Sequence, residues 1–179
     1  MAQQAPATGL TAGERLDRLP FGSFHRRILV LIGAGMFFDA MELYLAGSVL
    51  GALVNSHYST VELNAQFITY TFYGLVIGSL LAGVLGDRYG RRFCYQLNLA
   101  IFGIASLAAA AAPSMQVLII CRFFMGIGLG AEIVIGYATL SEFAPTSIRG
   151  RAVAGLAVMT NTAVFCAPFL GLLIIPNFG

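Results

Sequence analysis

Four ionisable residues stand inside otherwise apolar stretches of this sequence: Asp39 and Glu42 in one, Arg122 and Glu132 in another. A lone charge at membrane depth costs roughly 2.5–3.5 kcal/mol or more, so such residues face inward and either pair or line a wet cavity. Asp39 and Glu42 are three residues apart and share a helix face about one turn apart. At 1.5 Å per residue, both lie roughly 17–21 Å from the start of their stretch, near a bilayer midplane. The second stretch runs the opposite way. Arg122, about seven residues from its outer end, then reaches a depth comparable with Glu42. An ion pair between the two helices is geometrically possible, and Arg122 needs either an acid partner or a wet cavity. Two carboxylates facing one guanidinium leave one acid in surplus, and the chemistry open to this set is proton binding and release. Protonation of Asp39 or Glu42 would free Arg122 and change how the helices pack; the alternative is a permanent structural ion pair. Glu132 follows Arg122 by ten residues and is expected on roughly the same face, either lining a cavity or bonding a neighbouring helix. Tyr44 and Tyr73 could stack on a ring-shaped substrate, although aromatic residues in apolar helices more often fill space. Asn161 is a further polar residue in an apolar run.

No other catalytic chemistry is visible. There is no Ser/His/Asp set, phosphate loop or metal-ligand cluster, so no catalytic residue, metal or cofactor is expected. Cys94, Cys121 and Cys166 lack metal or disulfide spacing and read as packing residues. Gly126-Ile-Gly-Leu-Gly130 is no dinucleotide fingerprint, because it lies within an apolar helix with no preceding strand. Nothing in the chain suggests nucleic-acid binding.

The elements that position the four charges must be membrane helices. With 58% hydrophobic and 10% charged residues in 179, the chain belongs to the polytopic class, its partner the lipid bilayer. Apolar runs predict helices at about 28–54, 63–85, 93–112, 115–143 and 152–175, each long enough for a ~30 Å hydrocarbon core. Residues 28–179 form the transmembrane domain. Residues 1–27 form a cytoplasmic segment whose Thr11-Ala-Gly-Glu14 capping box opens a short interfacial helix ended by Pro20. Ser59-x-x-Glu62 reads as a second capping box. Gly74/Gly78, Gly47/Gly51 and Gly126/Gly130 have the spacing that lets helices approach closely in lipid. All ten cations are Arg, and nine lie before the first run or in the second and fourth connections. By the positive-inside rule the N-terminus and those connections are cytoplasmic, in a plasma (inner) membrane protein.

One charged island, Gly83-Val-Leu-Gly-Asp-Arg-Tyr-Gly-Arg-Arg92, separates the second and third runs. Asp87 at one helix end and Arg91 and Arg92 at the next oppose the helix dipoles and need partners elsewhere. Gly83, Leu85, Asp87, Arg88, Gly90, Arg91 and Arg92 resemble the loop signature between helices 2 and 3 of major facilitator superfamily transporters. Arg122 to Gly130, Tyr137, and Glu142 through Arg149 and Arg151 are similar to helix 4 and the following loop of the sugar porter and metabolite:proton symporter branches. Phe38-Asp39-Ala40-Met41-Glu42 looks like the acidic helix 1 stretch of aromatic acid, niacin-type and synaptic-vesicle-protein-related members, with Glu in place of a second Asp. The resemblance implies five helices of an N-terminal six-helix half, with helix 6 and the C-terminal half as missing partners. It implies alternating access around a midplane site, driven by a proton gradient with no cofactor. It places Asp39 or Glu42 with Arg122 as the coupling pair, and Asp87, Arg91, Arg92, Glu142 and Arg149 in a cytoplasmic gating network. The expected function is symport of a small metabolite, an organic acid, vitamin-like aromatic carboxylate or sugar, in a truncated chain. A non-transporting scaffold or inactive remnant is the alternative.

Overall fold

The computed structural model describes residues 22–178. The capping box at Thr11 and the interfacial helix lie outside them. Among the described residues the regular structure is all helical: α1 (Ser23–Asn55), α2 (Val61–Tyr89), α3 (Arg91–Ala110), α4 (Met115–Phe143) and α5 (Thr146–Phe178). All five are long and apolar enough to cross a membrane.

Turn chemistry sets the boundaries. Thr60, extended at φ −116° and ψ 162°, caps α2 through its hydroxyl, which accepts from the Leu63 amide at 3.2 Å. The cap expected of Ser59 falls one residue later, because the Ser59 hydroxyl donates instead to Asn64 Oδ1 at 2.7 Å. Ser114, after Pro113, precedes α4 in extended conformation. Ala144 is held extended by Pro145, which excludes the helical region for the residue before it. The Pro145 carbonyl then accepts from the amides of Ile148 and Arg149, so α5 begins at once and carries Arg149 and Arg151 in its first turns. The ten-residue charged island is likewise helical except at Gly90. That residue, at φ +86°, makes the whole reversal between α2 and α3 in a conformation that L side chains rarely adopt.

α4 is the most buried of the five helices and lies between α2 and α3, also meeting α1, which packs along α5. Its glycines face different neighbours. A methyl at Gly126 would stand 2.5 Å from the Thr71 carbonyl oxygen and 3.3 Å from the Gly74 Cα, both on α2. One at Gly128 would meet Phe102 and the Asn98 carbonyl of α3, and one at Gly136 would meet Met36 and Ile32 of α1. Two of the three glycine pairs therefore make one backbone-to-backbone contact between α2 and α4. At Gly47 and Gly51 nothing lies within 4 Å. Apolar clusters tie the helices at different levels: Met36, Leu140, Ala152 and Leu156 join α1, α4 and α5, while Leu50, Phe67, Met115 and Ile119 join α1, α2 and α4. Between these levels α1 carries Asp39 and Glu42.

Candidate functional site

Arg122 is 4% exposed and reaches from α4 to α1, where Nη1 donates to the half-buried Glu42 at Oε1 and closes an ion pair. Its guanidinium carbon stands 5.2 Å from the centroid of the Phe67 ring on α2, close enough for cation–π attraction. Nε and Nη2 are buried with no hydrogen-bond partner among the described residues, and so is Glu42 Oε2. Two cavities meet at this arginine. One, of about 220 Å³, is lined by Glu42, Leu45, Phe67, Leu118 and Arg122; the other, of about 250 Å³, by Tyr44, Phe67, Thr71, Phe72 and Arg122. An unsatisfied Nε–Nη2 edge above an aromatic ring presents two parallel donors, which match the two oxygens of a carboxylate.

Asp39 and Glu132 form a separate group. Both are acids of the α1–α4 side of the bundle, and Tyr95 from α3 donates its hydroxyl to Glu132 Oε1 at 3.2 Å. Glu132 packs against α1 at Gly35, where an added methyl would stand 3.2 Å from Oε1. Asp39 Oδ2 is buried without a partner, and Asp39 lines a third cavity of about 150 Å³ with Leu43, Leu75, Leu129, Ile133 and Thr160. The expectation that Arg122 and Glu132 share a face needs correction. Ten residues at 100° each leave them about 80° apart around the helix, so both reach α1 but at different residues, Glu42 and Gly35.

The other expected cavity residues divide. Tyr44 lines two of the cavities. Tyr73 is exposed and packs edge-to-face on Tyr70, and exposed Asn161 donates its amide to the Ala157 carbonyl of its own helix. Tyr95, Gly35 and Phe67 belong to the site yet carried no site signal in the sequence. Gly35 alone could have been found, since it sits one turn before Asp39 on the same face.

At the arginine-rich end, Arg91 joins three helices. Its Nε and Nη2 donate to Glu142 Oε1 of α4 at 3.1 and 2.9 Å, and Nη2 lies 3.3 Å from Asp87 Oδ1 of α2. Charges placed against their own helix dipoles thus compensate one another. Arg149 donates to the Ala144 carbonyl, covering the end of α4. Arg88 lies over the Tyr89 ring, Arg92 is exposed, and Arg151 lines a shallow cavity with Leu29, Ile148 and Ala152. Gly83 has open space around its Cα, whereas a methyl at Gly86 would stand 2.9 Å from Arg91 Nη1.

A bundle of membrane-length helices with an ion pair opening on cavities, and a charged clamp at one end, is the architecture of a polytopic membrane protein. Residues 32–179 match the Major Facilitator Superfamily model, and the chain belongs to that family. It is 40% identical over 166 residues to the inner membrane metabolite transport protein YdjE of Escherichia coli (strain K12), covering 93% of this chain and 37% of that protein. It is 30% identical over 165 residues to the niacin transporter NiaP of Acinetobacter baylyi, covering 92% and 38%. With the 4-hydroxybenzoate transporter PcaK of Pseudomonas aeruginosa it shares 30% over 176 residues, covering 95% and 39%. The chain thus spans less than two-fifths of the length of these relatives.

Proposed function

We propose that this chain supplies the anion-binding helices of a proton-coupled symporter that moves a small organic acid by alternating access. The observation that carries the reading is Arg122: a buried guanidinium that gives one nitrogen to Glu42 and keeps its Nε–Nη2 edge unpartnered beside two cavities. A substrate carboxylate on that edge would bring a negative charge toward the midplane, and the surplus acids of α1 offer a place for a compensating proton. The names of the niacin and 4-hydroxybenzoate relatives support an aromatic carboxylate, and Phe67 and Phe72 offer ring faces beside Arg122. The driving force is the proton gradient, without a cofactor. The helices that complete the alternating-access machine are those the longer relatives carry. The N-terminus is cytoplasmic in an inner membrane, which puts the Asp87–Arg91–Glu142 clamp on the cytoplasmic side, where it latches one access state.

The test is uptake of radiolabelled nicotinate and 4-hydroxybenzoate by proteoliposomes containing the complete gene product. Accumulation is expected only under an inward proton gradient, abolished by a protonophore and by R122Q, and absent for the uncharged nicotinamide. Uptake indifferent to the protonophore refutes the coupling; transport of the amide as fast as the acid refutes the carboxylate.

A further inference from the structure

The two cavities at Arg122 differ in charge. The one of about 220 Å³ has Glu42 in its lining, so a carboxylate seated there would lie against another carboxylate. The one of about 250 Å³, between α1 and α2, is not lined by Glu42, and its polar side chains are Arg122, Tyr44 and Thr71. An anion on the Nε–Nη2 edge therefore has its body in this second cavity. Thr71 is 2% exposed and follows Phe67 by four residues, so the two share a face of α2 with Thr71 ~6 Å further along the axis. The Arg122 guanidinium stands over the Phe67 ring, which puts Thr71 one turn beyond the carboxylate anchor. That span is close to the one from the carboxyl to the para substituent of a benzene ring. The Thr71 hydroxyl has its only proton in use, donated to the Phe67 carbonyl at 2.7 Å. What it has left are acceptor lone pairs. Turning the proton toward an acceptor on a ligand would break the bond to Phe67, whereas accepting from a donor keeps it. Tyr44 is 41% exposed and its hydroxyl can take either role, so it imposes no such sign.

We infer that Thr71 is a specificity-determining residue for the acid held by Arg122, selecting aryl carboxylates that carry a hydrogen-bond donor para to the carboxyl. A para hydroxyl or amino group gives a proton to the Thr71 oxygen while the carboxylate stays on Arg122, so the ligand is held at both ends across the Phe67 ring. Benzoate and 4-methoxybenzoate bring no donor and are held at one end. The ring nitrogen of nicotinate is an acceptor and gains nothing at Thr71, so between nicotinate and 4-hydroxybenzoate the site favours the second. The inference rests on the reading of Arg122 as the anchor of a substrate carboxylate. A control is built into the same helix: Thr69 makes the same kind of bond to its own helix, to the Ala65 carbonyl at 2.8 Å, but is exposed. Two residues from Thr71, it points some 200° away around α2.

Uptake by proteoliposomes containing the complete gene product, with KM measured for 4-hydroxybenzoate, 4-aminobenzoate, benzoate and 4-methoxybenzoate, tests it. The two donor acids are expected to have KM values about five- to tenfold below the other two, the worth of one neutral hydrogen bond. T71V, which keeps the shape and removes the hydroxyl, should bring the donor acids to the KM of benzoate and leave benzoate itself unchanged. T71S should retain the preference, and T69V should behave as the unsubstituted protein. The acid series in the unsubstituted protein needs no variant, so it decides the matter should T71V fail to fold. Equal KM values for 4-hydroxybenzoate and benzoate, a methoxy acid as good as the hydroxy acid, or a preference that survives T71V overturns the inference. The outcomes separate from those of the anchor: uptake that R122Q abolishes but that shows no donor preference removes Thr71 and leaves Arg122 in place. Uptake of none of the four acids, or uptake indifferent to R122Q, removes the anchor and the inference with it.

Discussion

Replacing Gly130 by Ala adds one methyl group where two helix backbones touch. That methyl would lie 2.8 Å from both the carbonyl carbon and the Cα of Leu75, and still closer to the Leu75 carbonyl oxygen. Gly78→Ala makes the matching intrusion from α2, 2.7 Å from the Ile127 carbonyl carbon. The obstructing atoms are main chain within helices, so no rotamer change relieves them and the helices must separate. Moving to ordinary contact takes roughly 0.7 Å for the carbons and more for the closer carbonyl oxygens, on the order of 1 Å, and a gap of that size forfeits a quarter to a half of each dispersion contact along the interface. Overpacking of this kind costs about 1–3 kcal/mol for each substitution. One separation makes room for both methyls, so the double variant should lose less than the sum of the singles. The control lies in the same chain: Gly47→Ala meets nothing within 4 Å and should cost nothing, or gain up to ~1 kcal/mol from helix propensity. The assay is reversible unfolding of the complete gene product from mild detergent into SDS, followed by circular dichroism. A G130A midpoint equal to that of G47A, or fully additive losses in G78A/G130A, would refute the reasoning that α2 and α4 share one backbone contact.

Other expectations follow from the polar groups. E42Q leaves the Arg122 guanidinium buried without a counter-charge and should destabilise by about 3–5 kcal/mol, whereas E42Q/R122Q should recover most of the loss in the same unfolding assay. If the double variant is no better than the single, the pair is not the source of the cost. E142Q removes the partly exposed partner of Arg91 and should change stability by only ~0–1 kcal/mol. Its effect is expected instead in transport rate and in cysteine cross-linking between the ends of α2 and α4; unchanged values in both would disconnect the clamp from the access cycle. G90A forces a Cβ into a turn at φ +86° and ψ 153°, a region essentially reserved to glycine, and should cost roughly 1–3 kcal/mol, visible as a lower unfolding midpoint beside an unaffected G83A.

Much of this architecture was legible because each helix run is long and its stops are chemical. α4 spans Met115–Phe143, the bounds its apolar run predicted, since proline on either side acts locally. That Arg122 can meet an acid of α1 was legible from depth alone: antiparallel helices and a uniform rise leave few partners for a buried guanidinium. Depth did not separate Asp39 from Glu42, because both acids fall within the reach of a long arginine. Glu132 was ambiguous for a different reason. Which neighbour a helix face meets depends on how four other helices pack, and only the arrangement of α4 between α2 and α3, with Gly35 opening room on α1, brings Glu132 to α1. Tyr95 is one aromatic residue among many in apolar runs, and nothing local distinguishes it. The arginine-rich connections read as loops from their charge, yet they are helix ends, because a single Gly90 and an Ala-Pro pair suffice to turn the chain.

The partners in the ion pair are 80 residues apart in the chain. At a synthesis rate of about 5–20 residues per second, Arg122 leaves the ribosome roughly 4–16 s after Glu42. During that interval α1 has two acids in an apolar helix and no cation to meet them, and Glu132 arrives later still. The first helix therefore enters the bilayer as its least hydrophobic self and cannot settle until α4 follows. Stable insertion of α1 is therefore expected only once α4 has supplied its electrostatic partner.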